Sequence, residues 1–173
     1  AKAVPPELAS IGDQTINEDQ RLETEISATD INEDTLTFSV TSDEPKLNVS
    51  LRETSTRVYL VVNPEENFYG EGSVTVTVSD GTSTDEETLT VTVNSVNDLP
   101  VITVDEINLR TQEEQSLTFS VNATDVDHTT LIYTVRSLSE DISASVSGNS
   151  ITLSPSQDKW GNYPFSVSVS DGV

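Results

Sequence analysis

The sequence predicts an all-β protein made of two tandem seven-strand Greek-key β-sandwiches, the second of which lacks its last strand. Three observations lead to this fold. Apolar and polar residues alternate in short runs, no segment combines helical periodicity with helix caps, and the chain repeats itself. A chain of 173 residues is long enough for two small domains that each bury a core.

The repeat is visible in landmarks that return in the same order. Ala28-Thr29-Asp30 returns as Ala123-Thr124-Asp125, and VTVTVSDG at 74–81 returns as FSVSVSDG at 165–172. Other matched pairs are Pro6 with Pro100, Glu18-Asp19-Gln20 with Glu113-Glu114-Gln115, Thr35–Val40 with Thr130–Val135, and Phe68-Tyr69-Gly70 with Lys159-Trp160-Gly161. Several independent matches in one order predict a duplication, with domains at residues 1–98 and 99–173.

The first domain has seven predicted strands in chain order. An opening strand lies around residues 8–17, and six further strands follow, each with every second residue facing inward. Seven alternating strands in about 100 residues are typical of a Greek-key sandwich of immunoglobulin type. The inward residues of the six strands are Leu22, Thr24, Ile26 and Ala28; Leu36, Phe38 and Val40; Leu47, Val49 and Leu51; Val58, Leu60 and Val62; Val74, Val76 and Val78; and Leu89, Val91 and Val93.

The second domain repeats this pattern without a counterpart of the seventh strand at 87–94. An uncovered apolar strand edge favours association with another strand. We therefore expect the natural protein to continue beyond Val173, or a neighbouring molecule to lend a strand. The inward residues are Leu117, Phe119 and Val121; Leu131, Tyr133 and Val135; Ile142, Ala144 and Val146; Ile151 and Leu153; and Phe165, Val167 and Val169.

The composition excludes several classes of partner and metal site. Thirty acidic against eight basic residues give a net charge of −22, which excludes nucleic acid as a partner and disfavours anionic membranes. The charge leaves solubility and cation binding as explanations. The absence of cysteine excludes disulfides and thiolate metal sites. No apolar run reaches the roughly 18 residues of a membrane helix, and AKAVPPEL at the start lacks the apolar stretch of a signal peptide.

Strand direction gathers acidic and amide side chains at particular domain ends. Because successive strands mostly run in opposite directions, the turns after strands one, three and five and the exit from strand seven share one end. In the first domain that end holds Glu18, Asp19, Glu65, Glu66, Asn67, Asn97 and Asp98; the facing end of the second holds Asp125, Asp127 and Asp171. The linker is only a few residues long, so we expect oxygens from five segments to converge on the junction.

Such a convergence predicts a calcium site. Bare carboxylates within about 5 Å repel each other, which raises their pKa values, and a divalent cation removes that repulsion. Calcium accepts six to eight oxygens in flexible geometry, whereas magnesium prefers a stricter octahedron and zinc prefers His or Cys. Each acid taken alone is better explained by turn chemistry than by metal binding, so the prediction rests on the set as a whole. A second set, at the far end of the first domain, comprises Asp30, Asn32, Asp34 and Asp80.

These motifs resemble the cadherin-like repeats found in tandem in bacterial surface and secreted proteins. The matching segments are Asn17-Glu18-Asp19, A-T-D-x-[DN] at 28–32 and 123–127, V-S-D-G before the last strand, and V-N-D-x-P at 96–100. The resemblance implies calcium at each boundary between adjacent repeats of one protein. Carried over, the ligands are Glu18, Glu65 or Glu66, Asn97, Asp98, Asp125, Asp127 and Asp171.

The sequence also departs from that family. Ser95 and Leu99 stand where the family linker has Asp and Asn, and residues 65–67 read Glu-Glu-Asn instead of Asp-Arg-Glu. The lower end of the second repeat, with Glu113, Glu114 and Asp158, has fewer acids still. Fewer carboxylates imply fewer ions or weaker binding, in the range of about 10⁻⁴ to 10⁻³ M that is typical of extracellular modules.

The other candidate functional residues give weaker indications of function. His128, the only histidine, is interpreted as a solvated loop residue, and no nucleophile or carboxylate pair marks an active site, so we expect no enzyme. Trp160 with Tyr163, and Phe68 with Tyr69, are interpreted as plugs at the open end of each sandwich; the alternative is a sugar-stacking platform.

Together these points predict a calcium-stiffened pair of domains in a larger secreted or cell-surface protein, with an extension or adhesion role. Calcium binds the aligned junction and shifts the population toward it. Homophilic or glycan contact, a carbohydrate-binding accessory module and a metal-independent spacer stay open.

Overall fold

The structure is a computed structural model that describes residues 4–103 and 109–173. Every regular element in these residues is a β-strand, which confirms the predicted all-β class. The chain divides into two compact units, Ala1–Val96 and Asn97–Val173, so Asn97 and Asp98 fall in the second unit. Among the described residues, none forms a helix with the length and apolar character needed to cross a membrane.

The first unit is a sandwich of two sheets. One sheet has the order β2-β9-β8-β5, with β2 parallel to β9 and the other pairs antiparallel; the second has the order β3-β7-β6. A short β1 pairs with β4. The strands are β1 (Glu7–Leu8), β2 (Gln14–Asn17), β3 (Leu22–Ile26), β4 (Ala28–Thr29), β5 (Thr37–Ser42), β6 (Leu47–Glu53), β7 (Val58–Pro64), β8 (Gly70–Ser79) and β9 (Thr84–Asn94).

Alternation along these strands builds the first core. Every second residue is buried from Gly72 to Val78 in β8 and from Leu89 to Val93 in β9, and Leu60 and Val62 of β7 face them from the other sheet. The alternation of the predicted inward sets is therefore confirmed. The buried residues of the core cluster are Ile26, Leu47, Leu60, Val62, Val74, Val76, Leu89, Val91 and Val93, and Val78 is also 0% exposed.

The predicted opening strand at 8–17 is two strands in the structure. The chain changes partner between them, since β1 pairs with β4 while β2 pairs with β9. Gly12 lies in the connection with φ of +73°, a conformation that glycine adopts without steric cost. The strand predicted over 22–28 is likewise interrupted at Ser27, whose carbonyl accepts a hydrogen bond from the Ala9 N–H at 2.9 Å.

The second unit repeats this topology on a smaller scale. β10 pairs with β12, β15 lies between β11 and β14, and β13 pairs with β16. Val121, Ile142, Ile151 and Leu153 form the buried core. The strands are β10 (Val101–Thr103), β11 (Leu117–Ser120), β12 (Asn122–Thr124), β13 (Ile132–Ser137), β14 (Ile142–Ser147), β15 (Ser150–Pro155) and β16 (Phe165–Ser170).

β8 of the first unit and its counterpart β16 in the second unit differ in their pairing. In the first unit β8 lies between β5 and β9, whereas in the described part of the second unit its counterpart β16 pairs only with β13. A seventh strand is thus absent from the described residues, as the sequence predicts. Whether the natural chain or a neighbouring molecule supplies one stays a prediction.

Turn geometry confirms the internal repeat independently of the strands. Residues with positive φ recur at matched positions of the two repeats. Residues other than glycine rarely adopt this backbone conformation. Because the same backbone exception appears at equivalent positions, both units use the same turns. The matched pairs are Asp19 (60°) and Glu114 (61°), Asn67 (58°) and Asp158 (57°), Gly70 (142°) and Gly161 (139°), and Gly81 (91°) and Gly172 (92°).

Truncation of the first core tests this packing. Leu60 is 0% exposed at the centre of β7, so Leu60→Ala leaves a cavity and should lower the free energy of unfolding of the first unit by about 2–5 kcal/mol. Urea denaturation followed by circular dichroism measures the loss. Ser50→Ala, on the exposed face of β6, is the control and should stay within about 0.5 kcal/mol. Equal losses in the two variants would contradict the assigned core.

Candidate metal centres

The turn after β12 holds the most buried carboxylate of the second unit's acidic cluster. Oδ1 of Asp125 accepts hydrogen bonds from the backbone N–H of Asp127 at 2.9 Å and of His128 at 2.6 Å. This local turn orients the carboxylate, whose side chain is 0% exposed. Its second oxygen, Oδ2, is buried and accepts no hydrogen bond from the part of the chain that the structure describes. The turn therefore holds one buried carboxylate oxygen without a hydrogen-bond donor.

Two further segments of the second unit join this turn. The backbone N–H of Asp98 donates to Oδ2 of Asp127 at 2.7 Å, and Nδ2 of Asn97 donates to Oδ2 of Asp171 at 2.7 Å. The predicted residues Asn97, Asp98, Asp125, Asp127 and Asp171 are thus brought together in one unit. Asn97 acts here as a hydrogen-bond donor that holds Asp171 in place.

His128 belongs to this cluster, which the sequence interpretation missed. Its Nδ1 lies 3.6 Å from Oδ1 of Asp125, and ligand atoms of Asp125, Asp127 and His128 all lie within 4.8 Å of one another. The side chain is 38% exposed, but Nδ1 itself is buried and has no hydrogen-bond partner. His128 thus lies in a loop with a partly exposed ring, as interpreted, but its Nδ1 lies within the acidic cluster. The available signal was its position directly after Asp127.

The first unit has an equivalent cluster with a different donor set. Oδ1 of Asp30 accepts from the N–H groups of Asn32 at 2.8 Å and Asp34 at 3.1 Å, and its buried Oδ2 has no hydrogen-bond partner. Carboxylate oxygens of Asp30, Asp34 and Asp80 lie within 4.8 Å of one another. The Val4 N–H donates to Oδ1 of Asn32 at 3.0 Å, as the Asp98 N–H does to Asp127. Val4 stands where the second unit has Asp98, and Asn32 stands where it has Asp127.

The other end of the first unit contains a buried glutamate. Glu18 is 3% exposed, and its Oε1 accepts a hydrogen bond from the Val96 N–H at 2.5 Å. Its Oε2 is buried without a hydrogen-bond partner. Nearby, Oδ1 of Asp19 accepts from the Asn67 N–H at 3.1 Å.

The remaining acids predicted at this end are more peripheral. Glu65 and Glu66 are exposed, and so are Glu113 and Glu114 at the matching end of the second unit. Of the acids predicted at this end, Glu18 is therefore buried, whereas the pair at 65–66 is exposed.

Backbone donors offset the repulsion that was expected to raise the pKa values. The pKa of Asp80 lies below its ordinary value because the N–H groups of Ser83 and Thr82 both donate to its carboxylate. The pKa of Asp171 is also lowered, first by the hydrogen bond from Asn97 and then by the Val173 N–H. The expectation of raised pKa values is therefore wrong for these two groups.

In each of the two aromatic pairs interpreted as plugs, one ring packs against the core, Phe68 in the first unit and Tyr163 in the second, and the other ring is exposed. Trp160 is 85% exposed, so it does not close the second sandwich, and Tyr69 is 59% exposed. Phe68 packs against the first core as expected of a plug. Trp160 instead lines a groove of about 830 Å³ in the second unit, together with Lys159 and Tyr163.

A known protein family matches both units of the chain. The family described as the bacterial Ig domain matches residues 4–94 and 97–173. The chain belongs to this family. The cadherin resemblance is confirmed at the level of tandem Ig/cadherin-like domains, and a cadherin-like family in the narrower sense stays a prediction. No curated protein matches the sequence.

Solved structures similar to the two bacterial Ig domains include cadherins and glycoside hydrolases. Human protocadherin-24 EC1-2 is 20% identical, with 96% of this chain and 87% of that chain covered and a TM-score of 0.56. Drosophila N-cadherin EC1-4 is 20% identical, with 98% and 46% covered and a TM-score of 0.54. An endo-fucoidan hydrolase from glycoside hydrolase family 107 is 19% identical with a TM-score of 0.47, and this chain spans 27% of its length. At these identities the likeness shows the fold alone.

Acid titration tests the hydrogen bonding of Asp80. Because its folded-state pKa is lowered below 3.8, its carboxylate stabilises the fold above that pH, and the contribution is lost as the pH falls through the folded-state pKa. With chelator present, Asp80→Asn should melt below the wild type at neutral pH, and the gap should close below pH 3.8. Glu53→Gln makes the same charge change at an exposed strand end and serves as the control. A gap that widens on acidification would contradict the assignment.

Proposed function

We propose that this pair of bacterial Ig domains binds calcium and that binding stiffens the connection at Asn97 and Asp98. The role is non-catalytic: extension or adhesion within a larger secreted or cell-surface protein. The observation that carries the proposal is the carboxylate of Asp125, which is 0% exposed and has one oxygen without a hydrogen-bond partner.

The physical argument concerns the free energy of a buried charge. Removing a carboxylate from water is unfavourable unless donors or a cation replace the lost solvation, and an unsatisfied buried group costs about 1–3 kcal/mol or more. Asp30, Asp125 and Glu18 each retain a buried oxygen of this kind. A hard cation supplies the missing partner, and sets rich in carboxylate oxygens favour calcium.

We propose that calcium stiffens the connection because hydrogen bonds hold the backbone on both sides of Asn97. The Val96 N–H donates to Glu18 in the first unit, and the Asp98 N–H donates to Asp127 in the second. Ions bound by Glu18 or Asp127 would strengthen these two attachments, which leave a single residue between them. Calcium then shifts the population toward conformations in which both attachments are made.

Thermal unfolding with and without calcium tests the proposal. At a dissociation constant of about 10⁻⁴ to 10⁻³ M, about 10 mM calcium should stabilise the folded chain by roughly 1.4–2.7 kcal/mol. Asp125→Asn removes the charge but keeps the turn, so it should lose most of the gain in the second unit. Glu140→Gln, an exposed acid outside the cluster, should keep it.

Two results would contradict calcium binding. One is a wild-type melting curve that is unchanged by calcium and chelator; the other is equal loss in Asp125→Asn and Glu140→Gln. Small-angle scattering with calcium and with chelator addresses the connection separately. Stabilisation without any change in the scattering curve would leave calcium binding intact but exclude the stiffening role.

A second candidate function rests on Trp160. An aromatic side chain that is 85% exposed beside a groove of about 830 Å³ offers an apolar face on which a sugar ring can stack. In this case the domains are an accessory module for a polysaccharide-acting protein. Lys159, in the same groove, is held by Asp141 at 2.8 Å.

Retention on insoluble polysaccharides tests this candidate. Trp160→Ala should abolish retention, because the exposed indole is the stacking surface. Tyr69→Ala removes an exposed aromatic from the first unit and should leave retention unchanged. Equal binding by Trp160→Ala and the wild type, or no retention of the wild type on any polysaccharide, would exclude the stacking role.

A further inference from the structure

We propose that the cluster of Asp125, Asp127 and His128 takes a divalent transition ion, with zinc as the representative, in competition with calcium. The inference rests on the proposed function in one respect, since both ions use the same two carboxylates. It differs in assigning an imidazole ligand, which calcium does not require. The second domain then differs from the first in the ions that it accepts.

The position of the imidazole nitrogen is the first observation. Nδ1 of His128 is buried without a hydrogen-bond partner, and its 3.6 Å separation from Oδ1 of Asp125 is too long for a hydrogen bond. Two ligands that bind one tetrahedral zinc at about 2.0–2.2 Å lie about 3.4 Å apart. Ligand atoms of Asp125, Asp127 and His128 lie within 4.8 Å of one another, close enough for one ion to draw them to that spacing.

The buried carboxylate is the second, independent observation. Asp125 is 0% exposed, and its Oδ1 is fixed by two backbone N–H groups while Oδ2 has no hydrogen-bond partner. Asp127 is fixed in turn, because its Oδ2 accepts the Asp98 N–H at 2.7 Å. The donor atoms are thus oriented before any ion arrives, which lowers the entropic cost of binding.

The first domain supplies an internal comparison. Its cluster of Asp30, Asp34 and Asp80 contains carboxylates alone, and Glu33 follows Asn32 where His128 follows Asp127. Sites of oxygen donors suit calcium, magnesium and manganese, whereas an imidazole donor suits zinc, copper, iron and nickel. The same turn in two copies therefore offers two different donor sets, and only the second favours a transition ion.

The composition makes the test unambiguous. The chain contains one histidine and no cysteine, so any nitrogen-ligated zinc must involve His128. Isothermal titration with zinc chloride, run on the full chain with and without calcium, should give a site that calcium weakens by competition. The ring resonances of the single histidine, followed by NMR, should shift as zinc is added.

His128→Asn and His128→Gln separate this inference from the calcium proposal. Both variants keep a polar side chain but lose the imidazole, so zinc affinity should fall at least about tenfold while calcium affinity changes little. Glu140→Gln, outside the cluster, should bind zinc as the wild type does. If a variant fails to fold by circular dichroism, the histidine resonances of the wild type decide the matter alone.

The possible outcomes distinguish the two proposals. Zinc binding that is unchanged in both variants, or histidine resonances that do not move, would overturn the transition-ion site and leave calcium binding untouched. Histidine-dependent zinc binding in a chain that calcium does not stabilise would overturn the calcium proposal and leave this one standing. Loss of both ions in His128→Asn with the fold intact would also contradict it, since the carboxylates alone should retain calcium.

Discussion

Each domain is organised at one end by a single carboxylate that binds its own backbone. Asp30 and Asp125 follow β4 and β12, and in both cases Oδ1 takes two N–H groups of the next turn. These hydrogen bonds fix the turn and determine the direction of the other oxygen, which is left buried without a hydrogen-bond partner. The same interaction that closes the turn therefore leaves the buried oxygen on which the proposed cation binding rests.

The sandwich positions the other donors around that carboxylate. The first strand of each unit pairs with the strand that ends at it, β1 with β4 and β10 with β12, so the entering segment passes beside the turn. This explains why the N–H of Val4 in one unit and of Asp98 in the other donates to the second residue of the turn. The antiparallel strands β8 and β16 end in Ser-Asp-Gly, which adds Asp80 and Asp171.

Period-two alternation predicted most of the strands and the core, because a sheet with one buried face imposes that pattern directly. It did not predict where the chain changes partner, as it does between β1 and β2. Residues such as Val76 and Leu60 are therefore predictable from the sequence. The burial of Glu18 was not, because it depends on the Val96 N–H, far along the chain, as a hydrogen-bond partner. The place of His128 in the acidic cluster was not predicted for a similar reason. Its position after Asp127 is visible in the sequence, but the burial of its Nδ1 depends on three-dimensional packing. The exposure of Trp160 agrees with that of Tyr69, which occupies the matching position of the first repeat.

The net charge of −22 is a weaker guide to cation binding than the environment of individual oxygens. Exposed carboxylates interact through water and are screened by salt over about 8–10 Å, so most of the thirty acids have little tendency to hold an ion. A carboxylate such as Asp125, already removed from water and oriented by two backbone donors, has lost solvation that a cation can replace. The neighbouring donors differ between the domains, with an imidazole nitrogen in the second and a third carboxylate in the first. On the proposals made above, this difference would give the two turns different ion preferences.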